Sequence, residues 1–217
     1  MEKENSDNIE KKKLGISLIF PVAFLLAIWL VWFVEITLDL DFSRYGIFPR
    51  KLSGLKGIVF SPLIHADIKH LFNNSIPLLV LTAAIFYFYS SLAFRIFFLT
   101  WLMGGIWVWF GGREAYHIGA SGLIYGFAAF LFVSGVIRNY IPLLAISMLV
   151  VFLYGSLIWG IFPIKPQISY ESHMLGAIAG VVLAFHYRKF GPQRPKYNWE
   201  EEEELEDNEE STSPNES

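Results

Sequence analysis

The sequence contains no cysteine, which excludes disulfide bonds and thiolate metal sites. It is also poor in charge, because Asp, Glu, Lys and Arg make up only 17% of the residues, against 54% for hydrophobic residues. Most charged residues lie towards the two ends of the chain, and the long stretches between them carry few. A chain of 217 residues with this distribution fits a single domain that is rich in apolar segments.

The acidic residues are concentrated at the C-terminus. Residues 200–217 contain ten acidic residues and neither Lys nor Arg, and leaving those ten out changes the formal net charge from −3 to +7. A Glu-rich run without apolar periodicity predicts a disordered, solvated tail in preference to an interaction tail. We therefore expect a cytoplasmic N-terminal segment (1–13), a membrane domain (14–190) and an acidic disordered tail (191–217).

Six runs are long and apolar enough to be membrane-spanning helices, which need about 20 residues each. They cover residues 14–38, 68–89, 92–110, 118–137, 141–162 and 170–187. Soluble proteins rarely contain six such runs in succession, so we predict an all-α polytopic membrane protein built as a six-helix bundle. The first run is too long for the apolar region of a signal peptide and lacks a cleavage site, so we expect a retained anchor.

The segments between the runs indicate how the chain is oriented. The first loop, residues 39–67, mixes Pro and Gly with apolar residues, which predicts a structured loop at the membrane interface. With the N-terminus inside, ten Lys and Arg lie on the cytoplasmic side and seven outside. The cluster Lys11, Lys12 and Lys13 beside the first span supports this orientation. We therefore expect a protein of a bacterial-type plasma membrane with both termini on the cytoplasmic side.

Polar residues cluster at the starts of the second, fourth and sixth spans. Buried polar groups are costly in a membrane and are therefore functional candidates. These three spans begin on the same membrane face, so the clusters can converge, and the positive helix N-termini there favour developing negative charge. The clusters comprise His65, His70, Asn73 and Asn74; residues 117–125; and Glu171, Ser172 and His173.

The second cluster contains a serine between glycines, since residues 119–122 read Gly-Ala-Ser-Gly. Such a serine at a helix start can present its hydroxyl where the backbone lets a substrate approach closely. A neutral imidazole is the usual activator of such a hydroxyl. No buried Asp is evident, so a dyad of Ser121 with His173 is favoured over a triad. Tyr125, one turn after Ser121, lies on the same helix face and can pack against the imidazole.

Each signal has another explanation when taken alone. Small residues at this spacing often only pack membrane helices, as Gly122 with Gly126 and Gly176 with Gly180 would do. A single histidine at an interface, such as His173, is usually structural.

His65 and His70 could suggest a metal site. The five-residue spacing of His65 and His70 does not place both on one helical face, and no His-Glu-x-x-His motif is present. We therefore expect no metal and no other cofactor. His117 and His186 are interpreted as interface residues.

In combination these residues resemble the rhomboid family of intramembrane proteases. That family has a six-helix core, a Gly-x-Ser-Gly motif opening its fourth helix and a His-x-x-Gly-x-x-x-Gly motif in its sixth. The second helix of the family carries a His with an Asn four residues later and another His five residues earlier. The matching residues here are Gly119, Ser121, Gly122, Tyr125, His173, Gly176, Gly180, His65, His70 and Asn74. The resemblance extends over about residues 14–187.

The resemblance implies a serine endopeptidase that cleaves transmembrane segments near the outer membrane face. Ser121 would be the nucleophile and His173 the general base, and the Ser121 backbone N–H with His70 and Asn74 would stabilise the oxyanion. Partners would be transmembrane protein substrates and membrane lipid, without nucleic acid. By analogy with the family, the fifth span and residues 163–169 would form a lateral gate and cap.

One family feature is missing, because the Trp-Arg pair of the first loop is absent and Arg50 is its candidate substitute. Two other functions remain as alternatives. A rhomboid-like protein that binds membrane clients without cutting them usually lacks the serine or the histidine, and both are present. A small transporter or channel would show internal repeats and ionisable groups at the midplane, whereas here the polar groups lie at one face. Nothing in the sequence indicates an oligomeric state.

Overall fold

The computed structural model describes residues 2–153, 160–163 and 169–192, and the side chains from residue 7 onward. The predicted acidic tail therefore lies almost wholly outside the described residues. The helices in these ranges are α1 (Glu2–Thr37), α2 (Gly57–Phe60), α3 (Ile68–Phe88), α4 (Ala93–Gly111), α5 (Ser121–Arg138), α6 (Ile141–Leu153) and α7 (Tyr170–His186). Within the same ranges, extended pairing is limited to a bridge between Ile47 and His117. The prediction of an all-α membrane bundle is confirmed.

The six longer helices correspond to the six predicted spans. Four of them, α1, α3, α4 and α5, are long and apolar enough to cross a membrane by length and composition. α7 has 17 residues, and α6 has 13 described residues, beyond which residues 154–159 are not described. Large apolar side chains such as Leu26, Phe110 and Phe152 are exposed on the outside of the bundle, as expected for contact with lipid.

Aromatic side chains join α1 to its neighbours. The Phe20 ring lies 4.9 Å from those of Phe86 on α3 and Phe97 on α4. Nearer the C-terminus of α1, the Trp29 indole N–H donates to the Ser75 hydroxyl over 3.1 Å. These contacts attach α1 to one side of the bundle and leave most of its surface to lipid.

α5 lies at the centre of the bundle and is the most buried of the four candidate spans. It packs against α3, α4, α6 and α7, and its contact with α7 is close enough for backbone to meet backbone. A Cβ atom on Gly176 would lie 2.1 Å from the Gly122 carbonyl oxygen, and one on Gly180 would lie 2.0 Å from that of Gly126. Glycine at these positions therefore sets how near the starts of α5 and α7 come.

The first loop is structured, as predicted. It contains α2 and three short 3₁₀ turns, at Ser43–Tyr45, Leu52–Gly54 and Ser61–Leu63. The Trp101 indole on α4 donates to the Ile58 carbonyl over 2.6 Å, and the Arg50 guanidinium donates to the Gly112 carbonyl over 2.8 Å. The loop is thereby fixed to α4 and to the segment that follows it.

Candidate active site

The N-termini of α3, α5 and α7 meet around one cavity of about 480 Å³. Its polar lining comes from all three helices and includes His70, Asn73, Asn74, Ser121, Tyr125 and His173. We call the membrane face at which these helices begin the site face. The polar residues of three distant sequence clusters are therefore neighbours in space.

Ser121 is the first residue of α5 and follows a tight backbone turn. Gly119 has φ +103°, in the left-handed region, and a Cβ there would lie 2.7 Å from Cε1 of His70. Both the backbone angle and the neighbouring ring therefore favour glycine at this position. Because α5 starts at Ser121, the backbone N–H of this residue has no partner within the helix.

The Ser121 hydroxyl contacts the His173 imidazole, and both side chains are buried. Ser121 Oγ lies 2.7 Å from His173 Nε2, while His173 Nδ1 lies 2.8 Å from the Gly160 carbonyl oxygen. A carbonyl oxygen only accepts, so Nδ1 carries the proton of the neutral ring and donates to Gly160. Nε2 is then free to accept the hydroxyl proton of Ser121, which is the tautomer that a general base requires.

Tyr125 and Gly160 enclose the imidazole from two sides. The Tyr125 ring stacks on His173 with centroids 4.2 Å apart and planes 13° apart, which restrains rotation of the imidazole. A Cβ on Gly160 would lie 2.0 Å from the Tyr125 hydroxyl oxygen and 2.9 Å from His173 Nδ1. A residue without a side chain is therefore needed for the Gly160 carbonyl to reach His173.

A second polar group lies beside the turn before Ser121. The Asn74 amide Nδ2 lies 3.0 Å from His65 Nε2, and the His65 and His70 rings are 5.0 Å apart. Burial in the loop before α3 lowers the pKa of His65 to about 3, so its neutral ring accepts from the Asn74 amide. One amide hydrogen of Asn74 is used in this way and the other is available to the cavity.

The structure thus brings together the Ser121, His173, Tyr125, His70 and Asn74 side chains that the sequence singled out, with His65 behind Asn74. The predicted cap, residues 163–169, lies outside the described residues except at its two ends. Among the residues that the structure describes, no group of three or more His, Asp or Glu is arranged to hold a metal ion.

Sequence reasoning missed two contributors to this region. Gly160 acts through its backbone carbonyl, which leaves no signal in a residue pattern. His117 is interpreted from the sequence only as an interface residue. It is buried, with 2% exposure, and Nδ1 of its ring lies 2.5 Å from the Ser169 hydroxyl oxygen.

Comparison with known proteins agrees with this fold. The sequence matches the family described as Rhomboid domain over residues 53–190, more than half of the chain. Uncharacterized proteins of Mycobacterium bovis and Mycobacterium tuberculosis are each 38% identical to it, over 72% of this chain and 70% of theirs. An uncharacterized protein of Mycobacterium leprae is 34% identical, over 76% of this chain and 68% of its own. The chain belongs to the rhomboid family, and it is an integral, multi-pass membrane protein.

Proposed function

We propose that this protein is a serine endopeptidase that cleaves the membrane-spanning segments of other proteins. The observation that carries the proposal is the 2.7 Å contact between Ser121 Oγ and His173 Nε2, with the opposite nitrogen of the ring bonded to a carbonyl. Packing or helix capping does not require a hydroxyl and an imidazole to meet in this tautomer inside a membrane bundle. The family to which the chain belongs is one of intramembrane proteases, which supports the same reaction.

In the first step, Ser121 Oγ attacks the carbonyl carbon of the scissile peptide. His173 Nε2 takes the hydroxyl proton as the new C–O bond forms, and the imidazolium keeps its Nδ1–H bond to the Gly160 carbonyl. This carbonyl takes the orienting role that a carboxylate has in a Ser-His-Asp triad, without its full negative charge.

The tetrahedral intermediate carries its negative charge on the former carbonyl oxygen. The Ser121 backbone N–H at the start of α5 and the His70 and Asn74 side chains are the proposed donors to it. Each donor of this kind is worth about 3 kcal/mol of barrier, and the positive end of α5 adds to their effect.

Collapse of the intermediate breaks the C–N bond, and His173 gives the proton to the leaving amine. An acyl ester on Ser121 remains. Water then attacks this ester and gives a proton to His173 Nε2. The C–O bond to Ser121 breaks as His173 returns that proton to Ser121 Oγ, which releases the acid and restores the free serine. The cavity of about 480 Å³ between the helix starts has room for such a water.

The proposed arrangement in the membrane follows the positive-inside bias of the sequence. Both termini lie in the cytoplasm, so the site face is the outer face and cleavage occurs near it. The proposed boundaries remain a short N-terminal segment (1–13), the membrane domain (14–190) and an acidic tail (191–217). α6 and the segment after it are the proposed route by which a substrate enters from lipid.

The test uses the purified protein in liposomes with a transmembrane reporter substrate. Ser121→Ala and His173→Ala should each lower the cleavage rate roughly 10³-fold or more. Ser17→Ala on α1 and His186→Ala at the far end of α7 are matched controls and should cleave like the wild type. A fluorophosphonate probe should label the wild type on Ser121 and leave Ser121→Ala unlabelled.

Two results would overturn the proposal. One is undiminished cleavage by Ser121→Ala or His173→Ala. The other is a folded wild type that binds the reporter but neither cleaves it nor reacts with the probe, which would favour a client-binding protein without protease activity.

A further inference from the structure

The loop between α4 and α5, residues 112–120, touches more than its own two helices. It ends at the turn that presents Ser121, and His117 within it contacts Ser169, the residue immediately before α7. His117 precedes Ser121 by four residues, and Ser169 precedes His173 by four residues. The segment that leads to the hydroxyl is thus bonded directly to the segment that leads to the imidazole.

The hydrogen bonds of His117 define the direction of this contact. Its Nε2 lies 3.1 Å from the Arg113 carbonyl oxygen, which can only accept, so the ring carries its proton on Nε2. Nδ1 is then an acceptor, and the Ser169 hydroxyl donates to it over 2.5 Å. Burial lowers the pKa of His117, which keeps the ring neutral and this acceptor available.

Ser169 is also the N-cap of α7. Its Oγ accepts from the Ser172 backbone N–H over 3.4 Å and lies 2.6 Å from the Ser172 hydroxyl. Since the Ser169 proton goes to His117, the Ser172 hydroxyl is the donor in this second pair. His117 therefore orients the cap of the helix turn from which His173 projects.

An ion pair holds the same helix turn from a second point on the same loop. Glu171 is buried, its Oε1 accepts from the Arg113 backbone N–H over 3.3 Å, and its Oε2 lies 3.4 Å from Arg113 Nη1. The backbone of His117 is in turn fixed by two hydrogen bonds with Ile47 in the first loop, of 3.0 and 2.9 Å. The loop is thereby anchored at its middle and holds α7 at two places.

We propose that His117 is a positioning residue for the dyad, acting through Ser169 to set the distance between the Ser121 hydroxyl and the His173 imidazole. The inference rests on the proposed function. Because a misplacement of about 1 Å at reacting atoms can lower a rate about 100-fold, a bond that holds the two helix starts together has a measurable effect on catalysis.

The decisive measurement is the rate constant for fluorophosphonate labelling of Ser121, alongside kcat and KM for reporter cleavage. His117→Phe keeps a ring of similar size and removes both nitrogens. It should lower the labelling rate constant and kcat roughly 10-fold to 100-fold and leave KM within about twofold. His117→Asn retains an acceptor near the position of Nδ1 and should recover most of the lost rate.

A second pair of variants approaches the same bond from the other helix. Ser169→Ala removes the hydroxyl and should slow labelling to a similar degree, whereas Ser169→Thr retains a hydroxyl and should restore it. In the double variant His117→Phe/Ser169→Ala the loss should be well below the sum of the two single losses, since both variants break the His117–Ser169 bond and only Ser169→Ala also removes the helix cap. If His117→Phe does not fold, Ser169→Ala and Ser169→Thr still test whether the His117–Ser169 bond positions the dyad.

A merely structural role gives a different result. It would lower the melting temperature and the fraction of protein that is labelled at completion, with the rate constant of the labelled fraction unchanged. That result, or fully additive losses in the double variant, would overturn the inference and leave the proposed protease function intact. A wild type that the probe does not label would instead overturn the proposed function.

Discussion

The two ends of α5 both bury polar groups in the bundle, but they arrange them differently. At its N-terminus, Ser121 and His173 border a cavity, and the Ser121 backbone N–H has no partner within the helix. At its C-terminus, Arg138 is buried against the end of α7 and donates to carbonyl oxygens. One end keeps groups available to another molecule, and the other uses them to join helices.

The Arg138 guanidinium links three carbonyls at helix ends. Nη1 donates to Ser134 over 3.3 Å, and Nη2 donates to Tyr187 over 2.6 Å and also to Phe190. The guanidinium also lies 5.5 Å from the centre of the Tyr89 ring. A cation at the C-termini of two helices complements their negative dipole ends, so this cluster stabilises the fold without an open site.

The comparison qualifies the rule that ionisable residues in membrane segments are functional by default. Burial and polarity are shared by both ends of α5, so neither property separates the two roles. The separating features are the cavity and the donors and acceptors that face it. This distinction predicts different outcomes for substitutions at the two ends of α5.

Replacing Arg138 should affect stability and not chemistry. Arg138→Met removes charged hydrogen bonds to carbonyls, each worth about 1.5–3 kcal/mol, so the loss should be about 3 kcal/mol or more. Denaturant unfolding in mixed micelles measures this change. The rate constant for labelling Ser121 in the remaining folded protein should equal that of the wild type. A lower rate constant in Arg138→Met would show that the two ends of α5 are coupled and that Arg138 is not purely structural.

Gly160→Ala should affect the chemistry and not the stability. The added Cβ meets the Tyr125 hydroxyl and His173 Nδ1, so the carbonyl must withdraw from the imidazole. We expect cleavage about 100-fold slower, with unfolding nearly unchanged. Gly15→Ala is the matched control, because no atom lies within 4 Å of a Cβ at that position. Wild-type cleavage by Gly160→Ala would mean that the carbonyl does not orient His173.

The helix contact between the two ends should respond to a single methyl group. Gly180→Ala places a Cβ 2.0 Å from the Gly126 carbonyl oxygen, so the α5–α7 contact must open at a cost of about 1–3 kcal/mol. Gly104→Ala on α4 is the control, since the nearest atom would be 3.7 Å from its Cβ, an ordinary contact. Equal stability of the two variants would argue against backbone contact between α5 and α7.

The smallest expected effect concerns pH. Burial holds the pKa of His65 at about 3, below its ordinary value of 6.5, so between these values an unfolded chain binds a proton that the folded chain does not. Stability from this group is therefore intact above pH 6.5 and falls as the pH is lowered towards 3, by at most about 1.4 kcal/mol per unit. Asn74, Asp67 and His70 are the polar neighbours of the ring.

His65→Gln isolates this contribution, because Gln keeps an acceptor for Asn74 and does not titrate. The melting temperature in detergent, measured at pH 7.0, 6.0 and 5.0, should fall less with decreasing pH for the variant than for the wild type. Parallel declines in the two proteins would show that His65 is protonated in the folded state over this range.

Much of the fold was predictable because membrane spans have a strong composition signal. The predicted span 118–137 differs from α5 by at most three residues at either end. The convergence of Ser121 and His173 followed from counting spans, since every second helix begins on the same face. Both predictions use only the lengths of the apolar runs and their order along the chain, which are read directly from the sequence.

The remaining features depend on tertiary contacts that residue types do not encode. The Gly160 carbonyl could not be predicted, because every residue has one and only the path of the chain brings this one to His173. Arg138 lies between two predicted spans, yet it is the last residue of α5 and is buried, with its guanidinium donating to the Tyr187 and Phe190 carbonyls. His117 is a single polar residue beside a span. One residue forms no periodic pattern, so the sequence does not show whether its ring is exposed or buried and hydrogen-bonded.

The backbone contact between α5 and α7 also limits which amino-acid substitutions the protein can tolerate. A side chain on Gly176 or Gly180 would need the space that the α5 backbone fills at the Gly122 and Gly126 carbonyls. A larger residue at either position cannot be offset by shortening its partner, because the partner is already glycine. Substitutions at Gly176 and Gly180 therefore have no compensating second change at the contact. We expect a saturation mutagenesis map to show these two as isolated positions of intolerance within an otherwise permissive apolar helix.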